Sequence, residues 1–238
     1  MKREKLSRRD FMRTTSAAAA GTLAGALSAN GQATEAQADT SRIVNYNEKM
    51  HYRRLGKTNL MLSEISLGGH WKNRNAGRYW DHFANEQVPP DVAKNRTDVV
   101  SACIDCGINY LDITTAAECL SYGAALKGRR EKMYVGADIH NLGPRKSSYC
   151  NVKDQTRNVE TCLRYLQTDY LDVYLFHALN AAEFDKVKRL GLITKMEEAK
   201  RQGKIRHIGF SFHDTLPVFK EIVDHYDWDV AQIQYNYV

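Results

Sequence analysis

Beyond residue 38 the chain has no apolar run near the roughly 20 residues that a membrane-spanning helix requires, so no stable span is expected in its body. No Gly-x-Gly-x-x-Gly follows the first predicted strand, which argues against an open dinucleotide-binding sheet. Cysteine is scarce and odd in number: the five residues Cys103, Cys106, Cys119, Cys150 and Cys162 leave at least one thiol unpaired and make a disulfide framework a poor expectation. Cys103 and Cys106 form a C-x-x-C inside a predicted helix, where they read as small core residues, and no metal site is expected on them. A basic body is missing too. The formal charge is +6, but residues 1 to 38 hold six Lys or Arg against three acids, so half of the excess sits in a separable leader and no nucleic-acid partner is implied. What remains, 43% hydrophobic and 10% aromatic, is the composition of an ordinary folded core in a chain of 238 residues.

The leader reads Ser7-Arg8-Arg9-Asp10-Phe11-Met12-Arg13, then an Ala, Gly and Thr-rich stretch to about Ala29, then Ala36-Gln37-Ala38 before Asp39. Charged start, weakly apolar middle and small-x-small end come in the order of an export signal, and the whole resembles a twin-arginine signal. The expected organisation is a signal peptide over 1–38, a polar linker over 39–50 and a folded unit over 51–238. The twin-arginine machinery is then a partner and the destination is periplasmic or extracytoplasmic. An amphipathic N-terminal helix with a chance Arg pair is the plainer alternative, and an uncleaved leader would act as an anchor.

Tyr52 to Leu62 reads as two short strands around Gly56-Lys57-Thr58-Asn59, a hairpin. Ile65-Ser66-Leu67-Gly68-Gly69 reads as a first buried strand, followed by a long polar and aromatic loop from His70 to Pro90 and a helix at about Ala93 to Cys106. The chain then alternates: strand Tyr110–Ile113, helix 117–127, strand Met133–Ala137, helix 152–166, strand Leu171–Phe176, helix 184–202, strand Ile205–Ser211, helix 215–224, strand Val230–Gln234. Strand–helix alternation predicts a parallel sheet, and continuously apolar strands such as Val173-Tyr174-Leu175-Phe176 predict that both faces are covered. About six of the eight units of a (β/α)8 TIM barrel are accounted for, which predicts a partial barrel from a longer protein; a natural six-unit open sheet is the alternative. In a parallel barrel the C-terminal strand ends carry the chemistry. Asp112 and His177, each ending a strand, are candidates for one mouth. The charge run Lys127-Gly128-Arg129-Arg130-Glu131-Lys132 sits at the opposite end and reads as a solvated face.

In order along the chain, Tyr52-Arg53-Arg54-Leu55-Gly56-Lys57-Thr58 with Leu60, Ser63-Glu64-Ile65-Ser66-Leu67-Gly68-Gly69, Gly107-Ile108-Asn109-Tyr110-Leu111-Asp112, Tyr170-Leu171-Asp172-Val173-Tyr174-Leu175-Phe176-His177, Gly203-Lys204-Ile205-Arg206-His207-Ile208-Gly209-Phe210-Ser211 and Gln232-Ile233-Gln234-Tyr235-Asn236 resemble the aldo/keto reductase family. The resemblance implies a hairpin-plugged (β/α)8 barrel that uses NADP(H) to move hydride to or from a carbonyl. That family works with a Tyr proton donor, a Lys that lowers its pKa, an Asp paired with the Lys, and a His that orients the carbonyl.

On this resemblance Asp112 is the Asp and His177 the His, while Ser211, Gln232 and Gly69 are expected at the cofactor. The sequence departs from the pattern twice. Ile113-Thr114-Thr115-Ala116-Ala117-Glu118 follows Asp112 with no tyrosine at the expected step, Tyr122 reading as a buried helix residue, and Asp138 ends the third strand where the Lys is expected. With Asp112 and Asp138 facing one mouth, like charge should raise the pKa of one of them or call for a cation. Lys72, next to His70 and Trp71 after the first strand, is the candidate for it. The bland reading of Asp138 is a solvated loop acid. Phe210-Ser211-Phe212-His213-Asp214 resembles the branch of the family that carries iron–sulfur cysteines beyond the barrel, so such a cluster would lie beyond Val238. The expected activity is an NADP(H)-dependent oxidoreductase on a small carbonyl or sugar-like substrate, with Asp112, Asp138, His177 and Lys72 as catalytic candidates. A catalytically silent ligand-binding barrel, a metal-assisted lyase or isomerase, and a shifted correspondence of residues stay open beside it.

Overall fold

A computed structural model describes residues 40–71, 83–138 and 152–235, and separates Met1–Asp39 from Thr40–Val238, the unit that holds every element below. The leader, Lys72, Cys150 and Asn236 lie outside the described residues. Strands β1 (Tyr52–Arg54) and β2 (Met61–Ser63) pair antiparallel, Tyr52 opposite Ser63. Then follow α1 (Pro90–Asp105), β3 (Tyr110–Ile113), α2 (Ala116–Ala125), β4 (Tyr134–Asp138), α3 (Val152–Leu166), β5 (Leu171–Leu179), α4 (Ala181–Arg189), α5 (Leu192–Arg201), β6 (Ile205–Phe212), α6 (Leu216–His225) and β7 (Val230–Ile233). Strands β3 to β7 form one sheet in chain order, every pair parallel. With helices over one face and the hairpin under the other, this is a partial (β/α)8 barrel.

The period of two along each strand sorts the side chains into two cores. Leu111, Ile113, Val135, Ala137, Tyr174, Phe176, Ile208 and Phe210 pack outward against the helices. Tyr110, Tyr134, Val173, Leu175 and Val230 point inward, where Leu55, Leu60 and Leu62 of the hairpin segment close the floor. The floor is narrow: a Cβ on Gly136 would strike the Tyr110 ring, so glycine there makes room for the phenol. Buried Asn109 fastens the hairpin to β3. Its Oδ1 accepts from Ser63 N at 2.8 Å and its Nδ2 donates to the Val44 and Met61 carbonyls at 2.9 Å.

Several details correct the sequence reading. The first strand expected over Ile65–Gly69 shrinks to a single bridge, Leu67 with Leu111, held by Leu67 N to Tyr110 O and Asp112 N to Leu67 O, both 2.9 Å. Ile65 is exposed, because β3 is the only described strand paired with this segment. The single helix expected over 184–202 is two, α4 and α5, broken where Gly191 turns left-handed at φ +62°. Cys106 caps α1 on the surface and Cys103 is half-buried, so that pair is not core; the small buried thiols are Cys119 and Cys162, which meet across α2 and α3 at 3.4 Å. The charge run is not a plain solvated face either. Arg129 donates to Ala125 O, Ser101 Oγ and Thr97 O, while Arg130 holds buried Asp172 at 2.7 Å beside Arg206 at 2.9 Å, both guanidinium groups lying on the Tyr170 ring. A buried carboxylate requires such partners, and here Arg130 of this turn and Arg206 of the strand Ile205–Phe212 supply them.

Candidate active site

The inward parity that sets the floor also sets the layer above it. Register pairs Asp112 with Gly136, Asp138 with Leu175, Leu175 with Gly209, and Ser211 with Gln232. Continued to the C-terminal strand ends, it brings Asp112, Asp138, His177, Ser211 and Gln232 to the barrel mouth, the end where such folds carry chemistry.

Asp138 is buried and fully committed. Its Oδ1 takes His177 Nδ1 at 2.8 Å, its Oδ2 accepts the Ser211 hydroxyl at 2.7 Å, and Ser211 Oγ in turn accepts from Ala178 N at 2.7 Å. A carboxylate is acceptor-only, so Nδ1 of His177 carries the shared proton. The backbone aims this ring by a device that the sequence does not announce. The β5–β6 register shifts between Phe176 and Leu179, and Ala178 sits at φ +45°, a left-handed conformation for a residue with a Cβ. Asp138 is thus neither a solvated loop acid nor, among the described residues, neutralised by a lysine.

Asp112 meets the same mouth on different terms. Its Oδ2 accepts from Gln232 Nε2 at 3.0 Å, and its Oδ1 is buried with no hydrogen-bond partner among the described residues. Burial pushes the carboxyl up to about 6; the Gln232 bond opposes this, and the charges of Asp138 and Glu118 add to it. The direction is the one expected from like charges, but desolvation is the larger cause.

Gly69 lies against α2. A side chain there would collide with the carboxylate of Glu118, which is buried and accepts from His70 N, Thr114 N, Thr114 Oγ1 and Thr115 N at 2.6–3.2 Å. Glu118 is the site residue that sequence reasoning missed. Its signal was legible as Thr115-x-x-Glu118, and both halves of that capping box are formed. Tyr122 on α2 is fully buried, donates its hydroxyl to Gly68 O at 2.9 Å and is pushed up to about 12 by burial, so its phenol is committed to the backbone. His207 is half-buried with Nδ1 3.7 Å from Asp229, near the N-terminal end of β6 and away from the mouth. Among the described residues no group of three or more His, Cys, Asp or Glu is placed to hold a metal ion.

Comparison with known proteins supplies the remaining context. Residues 69–238 match the family model described as Aldo/keto reductase family. A methylglyoxal reductase of Escherichia coli K12, YeaE, is 32% identical over 130 residues, covering 51% of this chain and 41% of that protein. The holo form of aldo-keto reductase AKR11C1 from Bacillus halodurans superposes with a TM-score of 0.60 at 27% identity, over 78% of this chain and 58% of that one. An aldo/keto reductase from Klebsiella pneumoniae in complex with NADP and acetate shares the fold at a TM-score of 0.53 and 22% identity, over 74% of this chain and 54% of that one. The chain therefore spans less than two thirds of the length of each of these relatives.

The state of Asp112 has a measurable consequence. Its folded pKa lies above the ordinary carboxylate value, so its contribution to stability is fully present below about pH 4 and is lost as pH rises through about 6. Relative to Asp112→Asn, the wild-type chain should lose at most about 3 kcal/mol between those limits in urea unfolding. A difference between the two proteins that stays constant from pH 4 to 8 would show an ordinary carboxyl.

Proposed function

The chain belongs to the aldo/keto reductase family, and from that premise we propose that it is an NADP(H)-dependent oxidoreductase acting on a small carbonyl compound or the corresponding alcohol. In this reading the family's Tyr and Lys are replaced by other acid–base groups. The observation that carries the reading is the unit Asp138–His177–Ser211 beside a half-buried Asp112 whose carboxyl sits near 6. A proton carrier with a pKa near the working pH is what transfer to or from a substrate oxygen requires.

The residues present fit a nicotinamide in part. Gln232 is exposed and gives its amide nitrogen to Asp112, which leaves its carbonyl oxygen for an incoming carboxamide N–H; Ser211 is already bonded to Asp138 and Ala178. Bound NADPH would supply the hydride. The chain's own residues do the rest. His177, fixed by Asp138, orients the substrate oxygen, and Asp112, with its carboxyl near 6, takes up and gives a proton at the same mouth. Methylglyoxal, named for the E. coli relative, belongs to the proposed substrate class.

Export by the twin-arginine route belongs to the same proposal and rests on the leader's Ser7-Arg8-Arg9-Asp10-Phe11 pattern. A cofactor loaded before crossing suits a destination where free nicotinamide is scarce. No helix among the described residues is long and apolar enough to cross a membrane.

Fluorescence titration with NADPH, on protein recovered before export, tests the first part. Saturable binding is expected in both wild type and Asp112→Asn, because Asn still accepts from Gln232; no binding to the wild type would overturn the reading. For the second part, replacing Arg8 and Arg9 together by Lys should confine the protein to the cytoplasmic fraction. Equal periplasmic recovery with and without the change would rule that route out.

A further inference from the structure

Ser211 stands opposite two residues at once. The β5–β6 ladder pairs Phe176 with Phe210 and then Leu179 with Phe212, so His177 and Ala178 together face the single residue Ser211. Two against one is a bulge, and a bulge takes the extra residue out of the ladder's hydrogen bonding. The backbone marks Ala178 as that residue: it sits at φ +45°, which a residue with a Cβ adopts only at a cost. Its N–H is met from across the ladder, by Ser211 Oγ at 2.7 Å.

A serine hydroxyl has one proton to give. Here it goes to Asp138 Oδ2 at 2.7 Å, and the other oxygen of the same carboxylate takes His177 Nδ1 at 2.8 Å. These three bonds, with the peptide between His177 and Ala178, close a ring in which Ser211 ties the backbone of the bulge to the acid that holds the imidazole. The tie is covered: Ser211 is 4% exposed and Asp138 3%, whereas the His177 side chain is 29% exposed. A buried set of polar groups that satisfy one another is rigid. A hydroxyl so placed has little surface left for a carboxamide, the role that the resemblance implies for it, while exposed Gln232 has.

We propose that Ser211 is a positioning residue and not a ligand of the nicotinamide: it holds the left-handed bulge and, through Asp138, sets the direction from which His177 meets the substrate oxygen. The proposal deepens the oxidoreductase reading above and rests on it for the role of His177. Without the hydroxyl, the Ala178 N–H and one oxygen of Asp138 lose their shared partner inside a buried layer. The imidazole then keeps a carboxylate that is itself free to turn.

The test compares wild type with Ser211→Ala and Ser211→Thr on the whole chain, threonine keeping the hydroxyl at a strand position that suits a β-branched residue. Three quantities are read: exchange of the His177 Nδ1 proton with water, by NMR of histidine-labelled protein with His177→Gln to identify the signal; NADPH affinity by fluorescence; and steady-state reduction of methylglyoxal. In Ser211→Ala the proton should exchange about 10-fold faster and kcat/KM for methylglyoxal should fall about 10–100-fold, with NADPH affinity unchanged. Ser211→Thr should regain most of both losses. Ser211→Cys, which keeps the volume while weakening both bonds, replaces Ser211→Ala if that chain does not fold. Unchanged exchange or unchanged kcat/KM in Ser211→Ala would overturn the proposal, as would a fall in NADPH affinity equal to the fall in rate, which marks a cofactor ligand. Failure of the underlying reading looks different: the wild type itself would bind no NADPH or leave methylglyoxal unreduced, with the proton-exchange comparison unaffected.

Discussion

A carboxyl group inside a barrel must be either paired or protonated, and the mouth of this molecule is built around two that meet the demand differently. Asp138 takes two donors, the His177 ring nitrogen and the Ser211 hydroxyl. Asp112 takes one, keeps a buried oxygen without a partner, and is driven up to about 6. The floor enforces the difference. Leu55, Leu60 and Leu62 close the barrel from below, and the Tyr110 phenol under the mouth is pushed up by burial and by the acids around it, so it stays neutral. Above that floor, desolvation is the larger cause of the Asp112 shift, and the charges of Asp138 and Glu118 add to it.

Backbone strain follows from the same requirement. A left-handed alanine costs about 1–2 kcal/mol, yet Ala178 keeps that conformation because its N–H is taken by Ser211 while the bulge turns His177 toward Asp138. His70 repeats the pattern on the other side of the mouth, its N–H taken by Glu118. Each histidine is thus held from its backbone side by a group that belongs to the site. Both imidazoles stand at the mouth that holds Asp112, whose carboxyl burial drives up to about 6.

The alternation of strands and helices was legible from Tyr110 onward, because strands covered on both faces are continuously apolar and the helices between them end at glycine or polar turns. The parity that places Asp112, Asp138 and His177 in one layer was legible too, once strand ends were known. What escaped reading depends on contacts between distant segments. Ile65-Ser66-Leu67 has the composition of a strand, but only Leu67 finds a partner in β3. Arg129 and Arg130 look like solvent-facing charge until Thr97, Ser101 and Asp172 come within reach. Glu118 carried a readable capping pattern, yet nothing local says that its carboxylate also holds the loop after Leu67. The bulge at Ala178 leaves no mark in composition at all.

The measurement that tests the account most directly is isotope transfer. The protein is incubated with a small dicarbonyl such as methylglyoxal and NADPH carrying deuterium at both C4 positions, and the alcohol product is weighed by mass spectrometry. The account predicts one deuterium on carbon in each alcohol formed, in step with NADPH oxidation. Product without deuterium, or NADPH bound and never consumed, would contradict it.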